Sequence, residues 1–169
     1  MRVEFRKEFR CTPWDVWPFL NDPEKQRLWL TSLLDFVPTS SIPRTVGSTF
    51  DLHMRRGRRV AHFEGRISGY DPPRHMGVML WGGEWKPGVV IQADYWLADL
   101  GTTEQGPRTR LEYKAEIDIE SLPFTAKLAL PLARVYRFFR LRRFMNNLKR
   151  LSEDAAQSDS HRASPARPA

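Results

Sequence analysis

The chain has 169 residues, of which 41% are apolar and 28% are charged, and it carries a formal net charge of +7. A chain of this length suits one domain with a core of its own. Its single cysteine, Cys11, excludes an internal disulfide and a zinc site built from cysteines. No run approaches the roughly 18 apolar residues of a membrane span, and no apolar signal segment opens the chain, so we expect a cytoplasmic protein.

The amino-terminal residues predict a strand that is followed by two short helices. Residues 2–10 alternate between apolar and charged side chains, which is typical of a half-buried strand. Thr12-Pro13 and Asp22-Pro23 each combine a capping side chain with a proline at the first helical position. Because the second of these helix starts follows the first closely, both helices must be short, and we expect them over 13–20 and 23–30.

Six further strands are predicted from alternating apolar and polar residues, with turns rich in glycine, proline or charge between them. The strand over 75–81 is apolar on both faces, which is typical of a central or doubly covered strand. Strands at hairpin spacing predict one twisted antiparallel sheet with a single apolar face. The six strands are expected over residues 34–38, 48–55, 59–70, 75–81, 89–98 and 108–120.

The segment 121–153 is the one stretch long and apolar enough to form a major helix. It carries eight Lys or Arg and one acidic residue, whereas the rest of the chain has 19 basic and 19 acidic residues. Its apolar face rotates by about 100° along the helix, and Pro131 offers a place for this change. After this rotation the apolar residues form a second stripe, which comprises Phe138, Leu141, Met145 and Leu148.

Residues 154–169 lack periodicity, and we expect them to be a disordered tail.

Several short motifs occur in a characteristic order along the chain. They are FRCTPWDVWPFLNDPEKQRLW (9–29), GSTF (47–50), GRI (65–67), YDPPR (70–74) and TRL (109–111). Their order and spacing resemble the START-like, or SRPBCC, superfamily, which includes the birch-pollen allergen class and the polyketide cyclase and dehydratase group. The resemblance implies a single α+β domain over residues 1–153 with the helix-grip fold. In that fold a curved antiparallel sheet of about seven strands wraps around a long carboxy-terminal helix.

The superfamily implies a hydrophobic cavity between the sheet and the long helix. Because some members are carriers and others are cyclases, we expect binding of a lipid, polyketide or other apolar small molecule, without a cofactor. The alternative is an enzyme of the polyketide cyclase or aromatase type that uses the same cavity. The residues expected to bind the ligand are Trp29, Phe50, Met54, Phe63, Trp81, Tyr95, Tyr113, Phe124, Leu128 and Leu132.

Few polar side chains face the predicted cavity. Tyr95 and Tyr113 are the candidate catalytic acids, because a tyrosine hydroxyl in an apolar cavity can orient a carbonyl or donate a proton. Alternatively, each hydroxyl bonds only backbone or water at the margin of the core. Lys7 falls on the apolar side of the first strand, either as an edge irregularity with a snorkelling stem or as an ammonium group within the cavity.

Metal and thiol chemistry find little support in the sequence. The four histidines, His53, His62, His75 and His161, are scattered along the chain, and we expect no metal site. Cys11 lies at a corner between a strand and a helix, where a buried structural thiol is expected rather than a nucleophile.

The second half of the long helix predicts a basic surface opposite its apolar stripe. This surface is either merely solvated or docks to an anionic membrane or to RNA. RNA is the weaker candidate, because no exposed strand interleaves aromatic and basic residues. The residues expected to form the surface are Arg140, Arg142, Arg143, Lys149 and Arg150.

Overall fold

The computed structural model describes residues 1–40, 44–82, 90–117 and 130–163, with the side chains of residue 56 and of residues 130–139 and 160–163 left out. Its strands are β1 (Arg2–Phe9), β2 (Leu33–Pro38), β3 (Thr49–Arg56), β4 (Arg59–Asp71), β5 (His75–Gly82), β6 (Val90–Thr103) and β7 (Gly106–Ile117). The helices are α1 (Pro13–Asn21), α2 (Pro23–Trp29) and α3 (Leu130–Ala163).

All seven strands form one antiparallel sheet in the order β1-β7-β6-β5-β4-β3-β2. Neighbouring strands in this order are consecutive in the chain except for β1, which pairs with β7. Strand β5 is therefore an interior strand of the sheet, in agreement with its apolar residues on both faces. The sheet, the two short helices after β1 and the long carboxy-terminal helix confirm the predicted helix-grip architecture.

The two short helices form because each has a capping side chain immediately before a proline. The hydroxyl of Thr12 accepts a hydrogen bond from the amide of Asp15, whose carboxylate accepts one from the amide of Thr12 at 2.7 Å. This reciprocal pair satisfies backbone donors that the first turn of α1 leaves open. Helix α2 is then fixed against α1, because the indole Nε1 of Trp29 donates to the carbonyl of Phe19 at 2.7 Å.

The strand alternation correctly assigns the inner face of the sheet. On β4, Ala61, Phe63 and Ile67 are all buried, while His62, Glu64 and Arg66 between them are exposed. The inner residues form one apolar core with α1 and with the side of α3 that bears Met145 and Leu148. Both of these residues are fully buried, as their place on the predicted second stripe requires.

Helix α3 continues to Ala163, whereas the sequence predicts disorder from residue 154 onward. Ser152 is fully buried and donates its hydroxyl to the carbonyl of Leu148 at 2.9 Å. Ala155 and Ala156 then pack against the core. Alanine is the best helix former, so a run that looks like low complexity in sequence extends the helix once it has a surface to pack on. The predicted first part of this helix, residues 121–129, lies outside the described residues.

Candidate functional site

A cavity of about 710 Å³ lies between the inner face of the sheet and the helices α2 and α3. Every strand from β1 to β7 contributes at least one side chain to its wall, and most of these side chains are apolar. Small-molecule sites in proteins have volumes of about 300–1,000 Å³ and mostly apolar walls. The cavity therefore has the size and the chemistry of a site for an apolar small molecule.

Most of the residues expected to bind a ligand lie in the wall of this cavity. Phe124 and Leu128 lie outside the described residues, and Leu132 belongs to α3 without a described side chain. One expected residue, Trp81, is absent from the wall. The residues that the structure does place there are Trp29, Phe50, Met54, Phe63, Tyr95 and Tyr113.

The assignment of Trp81 to the cavity is wrong. Trp81 pairs with Glu64 in the register of β4 and β5, and its indole Nε1 donates to the Glu64 carboxylate at 2.7 Å on the outer face. Side chains alternate between the faces of a strand, and the inner positions of β5 are Met76, Val78 and Leu80. A strand that is apolar on both faces contains no signal for which face points inward.

The cavity wall also contains residues that the sequence did not assign to it. Phe144 is buried beside Met145 and lies three residues after Leu141, so the helical spacing of the second stripe is a signal that identifies it. Arg140 also lines the cavity, although its sequence position suggests the basic surface. Its Nη2 lies 3.4 Å from the carbonyl oxygen of Arg55, and its guanidinium carbon lies 5.3 Å from the centre of the Phe144 ring.

Tyr95 and Tyr113 form an aromatic pair in the cavity wall. They face each other across β6 and β7, with ring centres 5.0 Å apart, and Trp29 meets Tyr95 edge-on at 6.4 Å. Burial raises the pKa of Tyr113 to about 12. Burial, followed by the neighbouring Tyr113, raises the pKa of Tyr95 well above its ordinary value. Both phenols are therefore neutral at physiological pH, so each can donate a proton in a hydrogen bond but cannot act as a base.

Lys7 does not project into the cavity. It lies on the inner side of β1, but its Nζ donates to the side-chain oxygen of Asn146 on α3 at 2.7 Å. Because β1 is an edge strand, an inward lysine there reaches the flank of the helix rather than the cavity. Its role is to attach α3 to the edge of the sheet.

Lys149 does not belong to an open basic surface, contrary to the expectation from sequence. Its Nζ donates to the carbonyl of Glu8 at 2.7 Å and lies 3.3 Å from the Glu153 carboxylate, one helical turn further on. Arg142, Arg143 and Arg150 are exposed, as predicted. The difference arises because α3 crosses the end of β1 at Lys149, a contact between residues far apart in the sequence.

The remaining candidate residues are Cys11 and the histidines. Cys11 is fully buried, as predicted, and burial raises its thiol pKa to about 12, so the reactive thiolate is not populated at neutral pH. His53 stacks on His62 on the outer face, and His75 bonds the Asp94 carboxylate at 2.8 Å. The described ranges hold no group of three or more side chains with metal-binding geometry.

Comparison with known proteins identifies the family. Residues 1–153 match the sequence profile of the family described as polyketide cyclase / dehydrase and lipid transport. The chain belongs to this family. The predicted START-like relationship is thus confirmed, and the family is one whose members handle hydrophobic small molecules.

Solved structures with the same fold cover nearly the whole chain. TTHA0849 from Thermus thermophilus has a TM-score of 0.67 at 11% identity, over 92% of this chain and 99% of that one. Ara h 8.0201 has a TM-score of 0.60 at 9% identity, over 94% and 98% of the two chains. MLL2253 from Mesorhizobium loti has a TM-score of 0.61 at 14% identity, over 89% and 96%. At these identities the likeness shows the fold alone.

No curated protein matches the sequence of this chain. Among the described helices, none has both the length and the apolar content that crossing a membrane requires.

Proposed function

We propose that this protein binds a hydrophobic small molecule in the cavity between the sheet and α3 and acts as its carrier. The observation that carries the proposal is the cavity itself, with its volume of about 710 Å³ and a mainly apolar wall drawn from all seven strands. A protein that needed only to fold would fill this space with side chains, because interiors are close-packed. The family's association with lipid transport supports the same conclusion.

The energetics favour a ligand that fills much of the cavity or meets its polar groups. Burial of apolar surface contributes about 25 cal/mol per Å², so roughly 300 Å² contributes about 7.5 kcal/mol. Association costs at least about 4 kcal/mol, whereas micromolar affinity requires a net of about 8 kcal/mol. A small apolar contact alone is therefore insufficient. Larger contact area or polar partners in the wall must supply the difference.

The tyrosine pair supports a second candidate function, that of a cyclase. Neutral phenols at Tyr95 and Tyr113 are suited to hydrogen-bond a ketone oxygen, and as acids they would stabilise negative charge that develops on it during an aldol closure. The cavity would contribute by holding a flexible chain in a closed conformation away from water. In a carrier, by contrast, the same hydroxyls only orient the ligand.

The two functions predict different results for Tyr113→Phe. Native mass spectrometry of freshly purified protein should show a bound small molecule in both cases. If the protein is a carrier, the variant should bind an apolar fluorescent probe within about twofold of the unmodified protein, because one phenol contributes little to apolar binding. If it is a cyclase, turnover of a poly-β-ketone substrate should fall by about 100-fold or more.

Tyr70→Phe is the matched control, because Tyr70 packs edge-on against Trp17 and does not line the cavity. This variant should behave like the unmodified protein in both assays. Failure to detect any bound molecule, together with failure to bind apolar probes, would contradict the carrier function.

We further propose that a group of exposed arginines docks the protein to anionic membrane. This group, the arginine rim, consists of Arg55, Arg58 and Arg59 at the tip of the β3–β4 hairpin and Arg142 and Arg143 on α3. The contact of Arg140 with the carbonyl of Arg55 links the hairpin to the helix. Each basic residue near an anionic lipid surface contributes about 1 kcal/mol, so the group as a whole favours docking.

Reversal of charge in the rim should abolish docking. Replacement of Arg55, Arg142 and Arg143 by Glu should reduce co-sedimentation with phosphatidylserine-containing vesicles at least tenfold, since three favourable charges become repulsive. A control with the same change of charge, at Arg10, Arg66 and Arg74, should retain binding, because none of these residues belongs to the rim. Equal loss in both triple variants, or binding to RNA without binding to vesicles, would contradict the proposal.

A further inference from the structure

The mainly apolar wall of the cavity contains a cation, Arg140. Arg140 is half-buried and lines the cavity beside Leu141 and Phe144. Within the described ranges, no carboxylate lies within ion-pair distance of its guanidinium, whose contacts are the carbonyl of Arg55 and the ring of Phe144. The charge of Arg140 is thus not neutralised by any described side chain.

The contacts of Arg140 orient its guanidinium without using up its capacity to bind. A guanidinium has five N–H donors in a rigid fork, and the contact with Arg55 at 3.4 Å engages one nitrogen. The guanidinium carbon lies 5.3 Å from the centre of the Phe144 ring, a cation–π contact that uses none of the N–H donors. Such a fork matches the two oxygens of a carboxylate or a similar anion.

The charge of Arg140 disfavours a neutral ligand. A neutral ligand that filled the cavity would remove water from Arg140 without replacing it, which is unfavourable for a charged group. A ligand with an anionic head would replace that water with a paired charge.

We propose that the ligand is an amphiphile, whose apolar body occupies the cavity and whose anionic head binds Arg140. The inference rests on the proposed carrier function and specifies the chemical class of its ligand: an apolar chain or ring system that ends in a carboxylate or a comparable small anion. Arg140 thereby leaves the group of residues that dock to membrane and becomes a residue that determines ligand specificity.

The test compares two probes that differ only in the head group, cis-parinaric acid and its methyl ester, by fluorescence titration at pH 8. The acid, ionised at this pH, should bind the unmodified protein at least tenfold more tightly than the ester. Arg140→Gln should weaken binding of the acid about tenfold and leave the ester within twofold. Arg140→Lys should be intermediate, because lysine keeps the charge but lacks the fork.

Arg66→Gln is the control, since Arg66 is exposed on the outer face of the sheet, lies outside the arginine rim and does not line the cavity. It should change neither affinity. Equal binding of acid and ester by the unmodified protein would overturn the inference and leave the carrier function intact. Binding of neither probe would overturn both. The ratio of the two affinities in the unmodified protein is decisive even if a variant fails to fold.

Discussion

Replacement of Ala115 by tryptophan is expected to abolish ligand binding while the protein still folds. Ala115 is only 4% exposed, lies on β7 opposite Ala93, and lines the cavity. An indole at this position projects into the cavity and occupies the space that a ligand needs, so affinity for an apolar probe should fall at least 100-fold. Because the side chain enters existing space, the melting temperature should change by a few degrees at most, as for a substitution of roughly 1 kcal/mol.

Glu116→Trp provides the control for this experiment. Glu116 is the next residue on the strand, its side chain is 67% exposed, and it points to the opposite face. The same indole outside the sheet should leave probe binding unchanged. Retention of full affinity by Ala115→Trp would mean that the ligand binds elsewhere than in the cavity.

Leu148→Ala is expected to have the largest effect on stability. Leu148 is fully buried on α3 and does not line the cavity, so its side chain is surrounded by packed atoms. Truncation of such a leucine costs about 2–5 kcal/mol, through lost transfer free energy and the new void. Urea unfolding should show this decrease in the free energy of unfolding, with an unchanged dependence on denaturant.

Leu141→Ala is the informative comparison, because Leu141 lies on the same apolar stripe but faces the cavity. Its side chain lacks packing partners on the cavity side, so truncation removes fewer contacts and should cost only about 1 kcal/mol. The loss in free energy of unfolding should therefore be larger for Leu148→Ala than for Leu141→Ala. This difference locates the boundary between the packed core and the cavity. Equal losses would indicate that the space beside Leu141 is filled in solution.

The sequence was sufficient to predict the order of elements and the inner face of most strands. Alternation over β4 places Phe63 inward without ambiguity, because the residues on either side are polar. Trp81 could not be assigned in this way, since both faces of β5 are apolar and the direction depends on register with β4. The caps at Thr12 and Asp22 predicted both short helices, because a cap bonds residues that follow it directly in the sequence.

The contents of the cavity wall were less predictable where α3 contributes to them. Arg140 contacts Arg55 across 85 positions of sequence, and no periodicity of the helix reveals that neighbour. Lys149 likewise bonds a group that is distant in sequence, because its Nζ donates to the carbonyl of Glu8 on β1. A helical pattern indicates which side is apolar, but only the crossing of the helix over the sheet decides which basic residues remain at the surface.

The pairing of β1 with β7 has a consequence for how the protein is made. Arg2 lies opposite Glu116 and Phe9 opposite Thr109, so β1 finds its partner only after the strands between them have been synthesised. The other five pairings join strands that are consecutive in the chain. Pairings between distant segments form slowly, because a long loop must close first. In a nascent chain β1 therefore stays an unpaired strand until β7 has emerged.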